Sequence, residues 1–375
     1  MNTLPRLIEN RINKLLFKGK AVILYGARQV GKTTLLRRLQ ENRPEKSIYL
    51  NCDEPDIRHS LTNVSSTEIK ALLGSAKLVF LDEAQRIPNA GLTLKLAVDN
   101  FPDIQIIATG SSSFELSDNI SEPLTGRKFE LQLFPFSMQE LRHEYSDLEI
   151  QRLLEHRMVY GMYPEIVRNS GEELDLLKEI ARSYLYKDVL QYQQIKNPEI
   201  LEKLLQALAL QVSSEVSFNE LAALLGIDKK TVANYIRILE QAFIIFPLRP
   251  FSRNLRNELK KLRKIYFVDT GIRNALINNF NPLSLRQDAG ALWENFMISE
   301  RLKKNSNENR SVAIYFWRTH QQQEIDLIED SGGKLSGFEF KWGRKKSRIP
   351  QLFLKTYEGS SVTPVTPDNF PEFAF

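Results

Sequence analysis

At 375 residues the chain exceeds one ordinary hydrophobic core, so two or three domains are expected. Hydrophobic residues at 42% and charged residues at 26% exclude a disordered chain. The apolar runs, about eight residues at most, fall short of the roughly 18 that a membrane span needs. The net charge of +5 is unevenly spread: Arg249, Arg253, Arg256, Lys260, Lys261, Arg263 and Lys264 face a single acid, Glu258, in one short window.

The N-terminus has no apolar signal core, so export is not expected. Thr3 can cap a helix with Pro5 near its start, and Leu4, Leu7, Ile8, Ile12 and Leu15 form one apolar stripe that would pack on the first domain. Cys52 is the only cysteine, which excludes an internal disulfide and a cysteine metal cluster. A buried thiol and a cytoplasmic protein are expected.

Ala21 to Tyr25 is a short β-branched apolar run, as in a buried parallel strand. It leads directly into Gly26-Ala27-Arg28-Gln29-Val30-Gly31-Lys32-Thr33-Thr34, which fits Gly-x-x-x-x-Gly-Lys-Ser/Thr. A loop of this kind turns its N–H groups onto phosphate. Lys32 reaches the β and γ oxygens of ATP, Thr33 offers a hydroxyl to Mg²⁺, and the next helix aims its N-terminus at the anion. Arg28 has no assigned role and is expected to be solvated.

Leu78 to Leu81 forms a second strand, with Asp82 and Glu83 at its carboxyl end, where ligands bind in open α/β sheets. Asp82 is the candidate Mg²⁺ residue, through water or the Thr33 hydroxyl, and Glu83 the candidate that orients or deprotonates the attacking water. A third strand, Ile104 to Thr109, ends in a polar run in which Ser111, ahead of Thr109, is the candidate contact to the γ-phosphate or the lytic water. Arg127, just before the strand-like Phe129 to Leu133, is the candidate arginine finger for a neighbouring subunit; a local ion pair is its structural alternative.

GARQVGKTT, FLDEAQRIP, ATGSSSFEL, LTGRKFELQLFPFS and GMYPEIV, in this order, resemble a poorly characterised bacterial and archaeal family of AAA+-like P-loop ATPases. The likeness continues through YLYKDVLQY, YFVDTG and QEIDLI to GFEFKWG. It implies an α/β P-loop core over 1–135, a helical lid and connector over 136–205, a winged helix over 206–272 and an α+β C-terminal domain over 273–375. ATP and Mg²⁺ are the ligands expected from the loop and the acid pair, and a homo-oligomer is expected from the position of Arg127.

The residues themselves support the middle assignment. Ser217 to Glu220 reads as a capping box opening a helix that stops at Gly226, and Asp228 caps a second helix carrying Val232, Ile236 and Leu239. Two helices joined by a short glycine-containing turn make a helix-turn-helix, and strands on either side of the basic window suit a charged wing. If the unit binds DNA, Lys229, Lys230, Thr231, Asn234 and Arg237 face the groove and the wing cations contact phosphate. A domain-packing role, with a protein partner in place of DNA, is the rival.

In the C-terminal region Glu294 on a helix, Asp326, and Glu339 with Lys341 two residues on resemble the PD-(D/E)XK nuclease constellation, in which carboxylates hold a divalent ion and lysine steadies phosphate charge. Ile325 stands where that pattern favours proline. Hydrogen-bonded structural acids are the alternative. The combined expectation is a nucleotide-controlled, DNA-facing ATPase, with a protein-binding switch and an ATP-gated nuclease as alternatives.

Overall fold

Helix α1 (Ile8–Leu15) buries Ile8 and Ile12, one turn apart, and keeps Asn10, Asn13 and Lys14 in solvent. It opens at Ile8, after Pro5, and not at the expected Thr3, which lies outside the residues described here. The computed structural model describes residues 4–110, 124–184, 197–251, 263–319, 321–343 and 350–375. They form two units: 1–135 with 241–243, and 136–240 with 244–375.

In the first unit, β1 (Ala21–Tyr25) runs through the glycine loop into α2 (Lys32–Glu41). Then follow β2 (Ser47–Asn51), α3 (Pro55–Leu61), α4 (Ser66–Leu73), β3 (Leu78–Asp82), α5 (Ala90–Asn100), β4 (Gln105–Gly110) and β5 (Lys128–Gln132). The sheet is all parallel, in the order β2-β3-β4-β1-β5. Its three central strands are buried along their whole length, as near-continuous apolar strands covered on both faces must be. The mixed sequences of β2 and β5 take the edges. Because β4 lies between β1 and β3, the phosphate-type loop and the Asp82-Glu83 pair flank its carboxyl end. This is the α/β P-loop fold.

The second unit begins with a helical stretch: α6 (Met138–Leu141), α7 (Asp147–Tyr160), α8 (Pro164–Arg168), α9 (Glu173–Tyr184) and α10 (Pro198–Leu210). Serine–glutamate capping boxes open α6 and α7, satisfying the free N–H groups of their first turns. Next come β6 (Glu215–Val216), α11 (Phe218–Leu225), α12 (Lys229–Gln241), β7 (Ile245–Pro250), β8 (Arg263–Phe267) and α13 (Thr270–Leu276). The chain continues with α14 (Ala289–Asn307), β9 (Ala313–Arg318), β10 (Glu324–Ser331), β11 (Lys334–Phe340), α15 (Gln351–Thr356), β12 (Ser361–Val365) and α16 (Phe370–Ala374).

These strands make one sheet ordered β12-β11-β10-β9-β7-β8-β6. Antiparallel hairpins join β9, β10 and β11, and a short parallel pairing of Arg249 and Pro250 with Tyr315 and Phe316 joins β7 to β9. Residues 206–272 and 273–375 therefore share a sheet. No helix among the described residues is long and apolar enough to cross a membrane.

Candidate nucleotide site and the C-terminal carboxylates

The loop after β1 is shaped by close backbone approach. A Cβ placed on Gly26 would meet the Leu133 carbonyl oxygen at 2.4 Å, so no side chain fits there. Lys32, only 5% exposed, donates from Nζ to the carbonyls of Gly26 and Ala27 at 2.9 and 2.8 Å, which holds its ammonium inside the loop. Ala27 and Val30 are buried, Gln29 is exposed, and Arg28 is half-buried where full solvation was expected. Thr33 and Thr34 stand in the first turn of α2, where free N–H groups and the helix dipole favour an anion.

Asp82 ends β3 and is 3% exposed. Three hydroxyls converge on its carboxylate. Thr33 Oγ1 and Tyr49 OH each donate to Oδ2 at 2.6 Å, and Thr109 Oγ1 donates to Oδ1 at 2.5 Å. The Thr33 hydroxyl beside a carboxylate, at a helix N-terminus, fits a Mg²⁺ ion, which when bound would neutralise charge on the β- and γ-phosphates. Glu83 has left-handed backbone angles (φ 55°, ψ 44°), uncommon for a residue with a side chain and frequent at functional sites. Its N–H donates to Thr109 Oγ1 at 3.1 Å, and the Gln85 amide donates to its carboxylate.

Thr109, the less favoured of the two candidates at the end of β4, thus bridges Asp82 and Glu83, while Ser111 lies outside the described residues. Arg127 pairs with Asp99 at 2.5 Å, both 39% exposed. Cys52 is fully buried, and burial, then the Asp82 charge, pushes its thiol up to about 12, so it is inert.

In the second unit the structure gathers Glu294 and Asp326, but around a side chain that was not expected there. Lys264 of β8, 2% exposed, donates from Nζ to Glu294 Oε1 at 2.9 Å, contacts Glu324 and lies 4.0 Å from Asp326 Oδ1. Tyr266 OH also donates to Glu294 Oε1, at 2.6 Å, and the Phe340 N–H donates to Asp326 Oδ2 at 2.8 Å. Burial alone would push the Lys264 ammonium down, but Glu294, Asp326 and Glu324 together carry it above its ordinary value. Burial and the Glu294 charge push the Asp326 carboxyl up to about 8.

Glu339 and Lys341 lie on the same side, as strand alternation requires, and pair at 3.5 Å. Among the described residues no three acidic, histidine or cysteine side chains converge in metal-binding geometry. Lys264 was grouped with the phosphate-facing cations of the wing. The structure corrects this, because the residue points inward from β8.

Family models match in sequence order. Residues 18–142 match an AAA domain, 151–283 a domain of unknown function (DUF8612), and 289–363 a second one (DUF4143). Together these matches support a likeness to a poorly characterised family of AAA-like ATPases. Its relatives include the uncharacterized protein Rv2008c of Mycobacterium tuberculosis, 28% identical over 88% of this chain and 72% of that protein. Another is the uncharacterized protein MJ1544 of Methanocaldococcus jannaschii, 26% identical over 86% and 75%. Among solved structures, the Walker-type ATPase paby2304 of Pyrococcus abyssi aligns with a TM-score of 0.51 and 18% identity, over 73% of this chain and 96% of that one. That likeness concerns the fold.

Two residues of the candidate nucleotide site escape a motif search. Arg6, in the segment leading to α1, donates to the Val30 carbonyl at 2.9 Å and the Phe134 carbonyl at 2.5 Å, bracing the loop from behind. Its sequence signal is weak, one arginine before an apolar stripe. Tyr49 had a readable signal: on β2 it alternates with Leu50 and shares a face with Asn51, which registers beside Asp82.

Between α11 and α12, Asp228 Oδ1 accepts the N–H groups of Lys230 and Thr231 at 2.8 and 3.0 Å. Lys229, Lys230 and Arg237 are exposed on α12, Thr231 and Asn234 are half-buried, and Arg237 donates to Asn234 at 3.2 Å. Of the expected wing, Arg253, Arg256, Lys260 and Lys261 lie outside the described residues, as does most of YLYKDVLQY.

Proposed function

We propose that the protein binds ATP with Mg²⁺, hydrolyses it slowly, and uses the change of nucleotide state to control a DNA-facing C-terminal half. The observation that carries the first part is the convergence of Thr33, Tyr49 and Thr109 on Asp82, beside Lys32 and Glu83 at the carboxyl ends of the central strands. In this reading Lys32 and the N–H groups of residues 26–34 hold the phosphates, and Thr33 with Asp82 holds the ion. Glu83 takes or orients the proton of the attacking water. Ser111 is a further candidate contact to the γ-phosphate, and Arg127 acts across a homo-oligomer interface.

Support for the DNA-facing part is the exposed cationic start of α12, Lys229 and Lys230 with Arg237 beyond, set on a capped helix of a helix-turn-helix arrangement that continues into β7 and β8. In a winged helix this surface would enter the groove.

Two measurements test the reading. Lys32→Ala should abolish nucleotide binding, while Glu83→Gln should retain it and slow turnover roughly 10²–10⁴-fold. Hydrolysis by Glu83→Gln at the parent rate would refute the role of Glu83. Duplex-DNA affinity should fall steeply with salt. Absence of binding by the parent at low salt would point to the protein-binding switch instead.

A further inference from the structure

We propose that Lys264 is the resident cation of the C-terminal carboxylate cluster, standing where a nuclease-like site would hold a divalent ion, so that this region does not carry out metal-dependent cleavage. The four residues that resemble the nuclease constellation would have to give Glu294 and Asp326 to one ion at about 2.0–2.6 Å. In this chain those carboxylates already serve an ammonium. Lys264 Nζ is 2.9 Å from Glu294 and 4.0 Å from Asp326, touches Glu324, and is closed over by the Phe316 ring, whose centroid lies 5.6 Å away.

Further donors also hold these carboxylates. Glu294 Oε1 takes the Tyr266 hydroxyl as well as the ammonium, and Asp326 Oδ2 takes the Phe340 N–H. A dication within the same cluster would sit a few ångströms from a fixed positive charge that is almost completely out of solvent, where repulsion is poorly screened. The lysine of the resembled motif, Lys341, is occupied with Glu339. The cavity of about 650 Å³ beside it, lined by Gln323, Glu324, Asp326, Glu339, Lys341 and Gln351, is thus a polar pocket whose acids are partly offset by Lys264 and Lys341. Lys264 meets Glu324 and Asp326 from β8, at the end of the basic window, which explains why a carboxylate search of the C-terminal region does not find it.

The test uses the full chain with Mn²⁺ as the probe and no nucleotide, all variants carrying Asp82→Asn so that the ATP site contributes nothing. Free Mn²⁺ is followed by electron paramagnetic resonance. The chain with Lys264 intact should take up the same small amount of Mn²⁺ whether Asp326 is present or replaced by Asn. Loss of a Mn²⁺ site on Asp326→Asn would overturn the proposal, as would Mn²⁺-dependent cleavage of plasmid DNA that needs Asp326. Lys264→Met removes the charge and keeps the stem. It should melt lower than its background and gain one Mn²⁺ site that Asp326→Asn removes, with Mn²⁺ restoring part of the lost melting temperature. Should Lys264→Met be too unstable to titrate, the double variant with Glu294→Gln should recover stability, because one of the uncompensated acids is gone. A Lys264→Met chain that melts like its background and takes up no Mn²⁺ would also overturn the assignment.

Discussion

Asp82 shows how little of a site a motif contains. The acid pair after an apolar strand identifies it, yet its orientation depends on hydroxyls from β2, α2 and β4, none of them adjacent in sequence. Tyr49 is the informative one. The Arg37 guanidinium lies over its ring at 4.7 Å, and burial with the hydrogen bond to Asp82 raises its hydroxyl well above the ordinary value, so it stays a donor at every physiological pH. Tyr49→Phe removes a hydrogen bond to a charged group, which is expected to loosen Asp82 and weaken Mg²⁺-dependent ATP binding about tenfold. Affinity for ATP in excess chelator should be unchanged, since the phosphate loop is intact. Titrating a fluorescent ATP analogue with and without Mg²⁺ checks this, and an equal loss in both conditions would reduce Tyr49 to a packing residue.

Between elements, the chain uses buried polar groups as locks. Asp269 caps α13 by accepting the N–H groups of Gly271 and Ile272 at 2.9 and 3.2 Å, and its other oxygen accepts the Met162 N–H at 2.7 Å. Asn274 adds a bond to the Val159 carbonyl at 2.8 Å. A Cβ on Gly161, whose φ is +77°, would sit 2.0 Å from Asp269 Oδ1. GMYPEIV and YFVDTG are therefore two halves of one structural clasp holding α7 and α8 to α13. Gly161→Ala should destabilise the second unit by roughly 2–4 kcal/mol, from backbone strain and a buried carboxylate pushed off its donors, and lower the melting temperature accordingly. Unchanged melting would mean that Asp269 has another way to be satisfied.

The phosphate loop and its strands were legible because one short pattern dictates both conformation and chemistry. The clasp was not, because its halves are 107 residues apart and only the fold brings them together. Lys264 was misread for a related reason. Counting charge in a window ignores strand alternation, and of the adjacent pair Arg263 stays partly exposed while Lys264 turns inward. The proposed contact with DNA consequently relies on Arg249 and the start of α12, together with the wing cations expected from the sequence. Replacing Arg256, Lys260 and Lys261 together by alanine should weaken binding to all DNA sequences alike and flatten the salt dependence by up to about 0.9 for each lost phosphate contact. Binding equal to the parent's would move the nucleic-acid surface elsewhere.

For the whole molecule the open question is whether one chain completes its own ATP site. Arg127 precedes β5, and its carbonyl accepts the N–H of Ala21 at 2.9 Å, at the amino end of β1. The phosphate loop follows the carboxyl end of the same strand. Five residues at about 3.3 Å each separate the two, too far for the guanidinium to reach its own γ-phosphate. A catalytic role for Arg127 would therefore need a neighbouring subunit, and its pair with Asp99 would have to open first. Since both partners are well exposed, that pair is a weak restraint. Arg127→Ala should bind ATP like the parent and turn it over up to roughly 10³–10⁵-fold more slowly. Asp99→Asn, which frees the arginine, should leave turnover at the parent rate or above it. The decisive experiment mixes Arg127→Ala with Lys32→Ala, each inactive alone. In a mixed oligomer the intact loop of the first meets the intact arginine of the second, and part of the activity should return, rising with total protein concentration. Mixed oligomers that form and stay inactive would confine Arg127 to its local pair with Asp99.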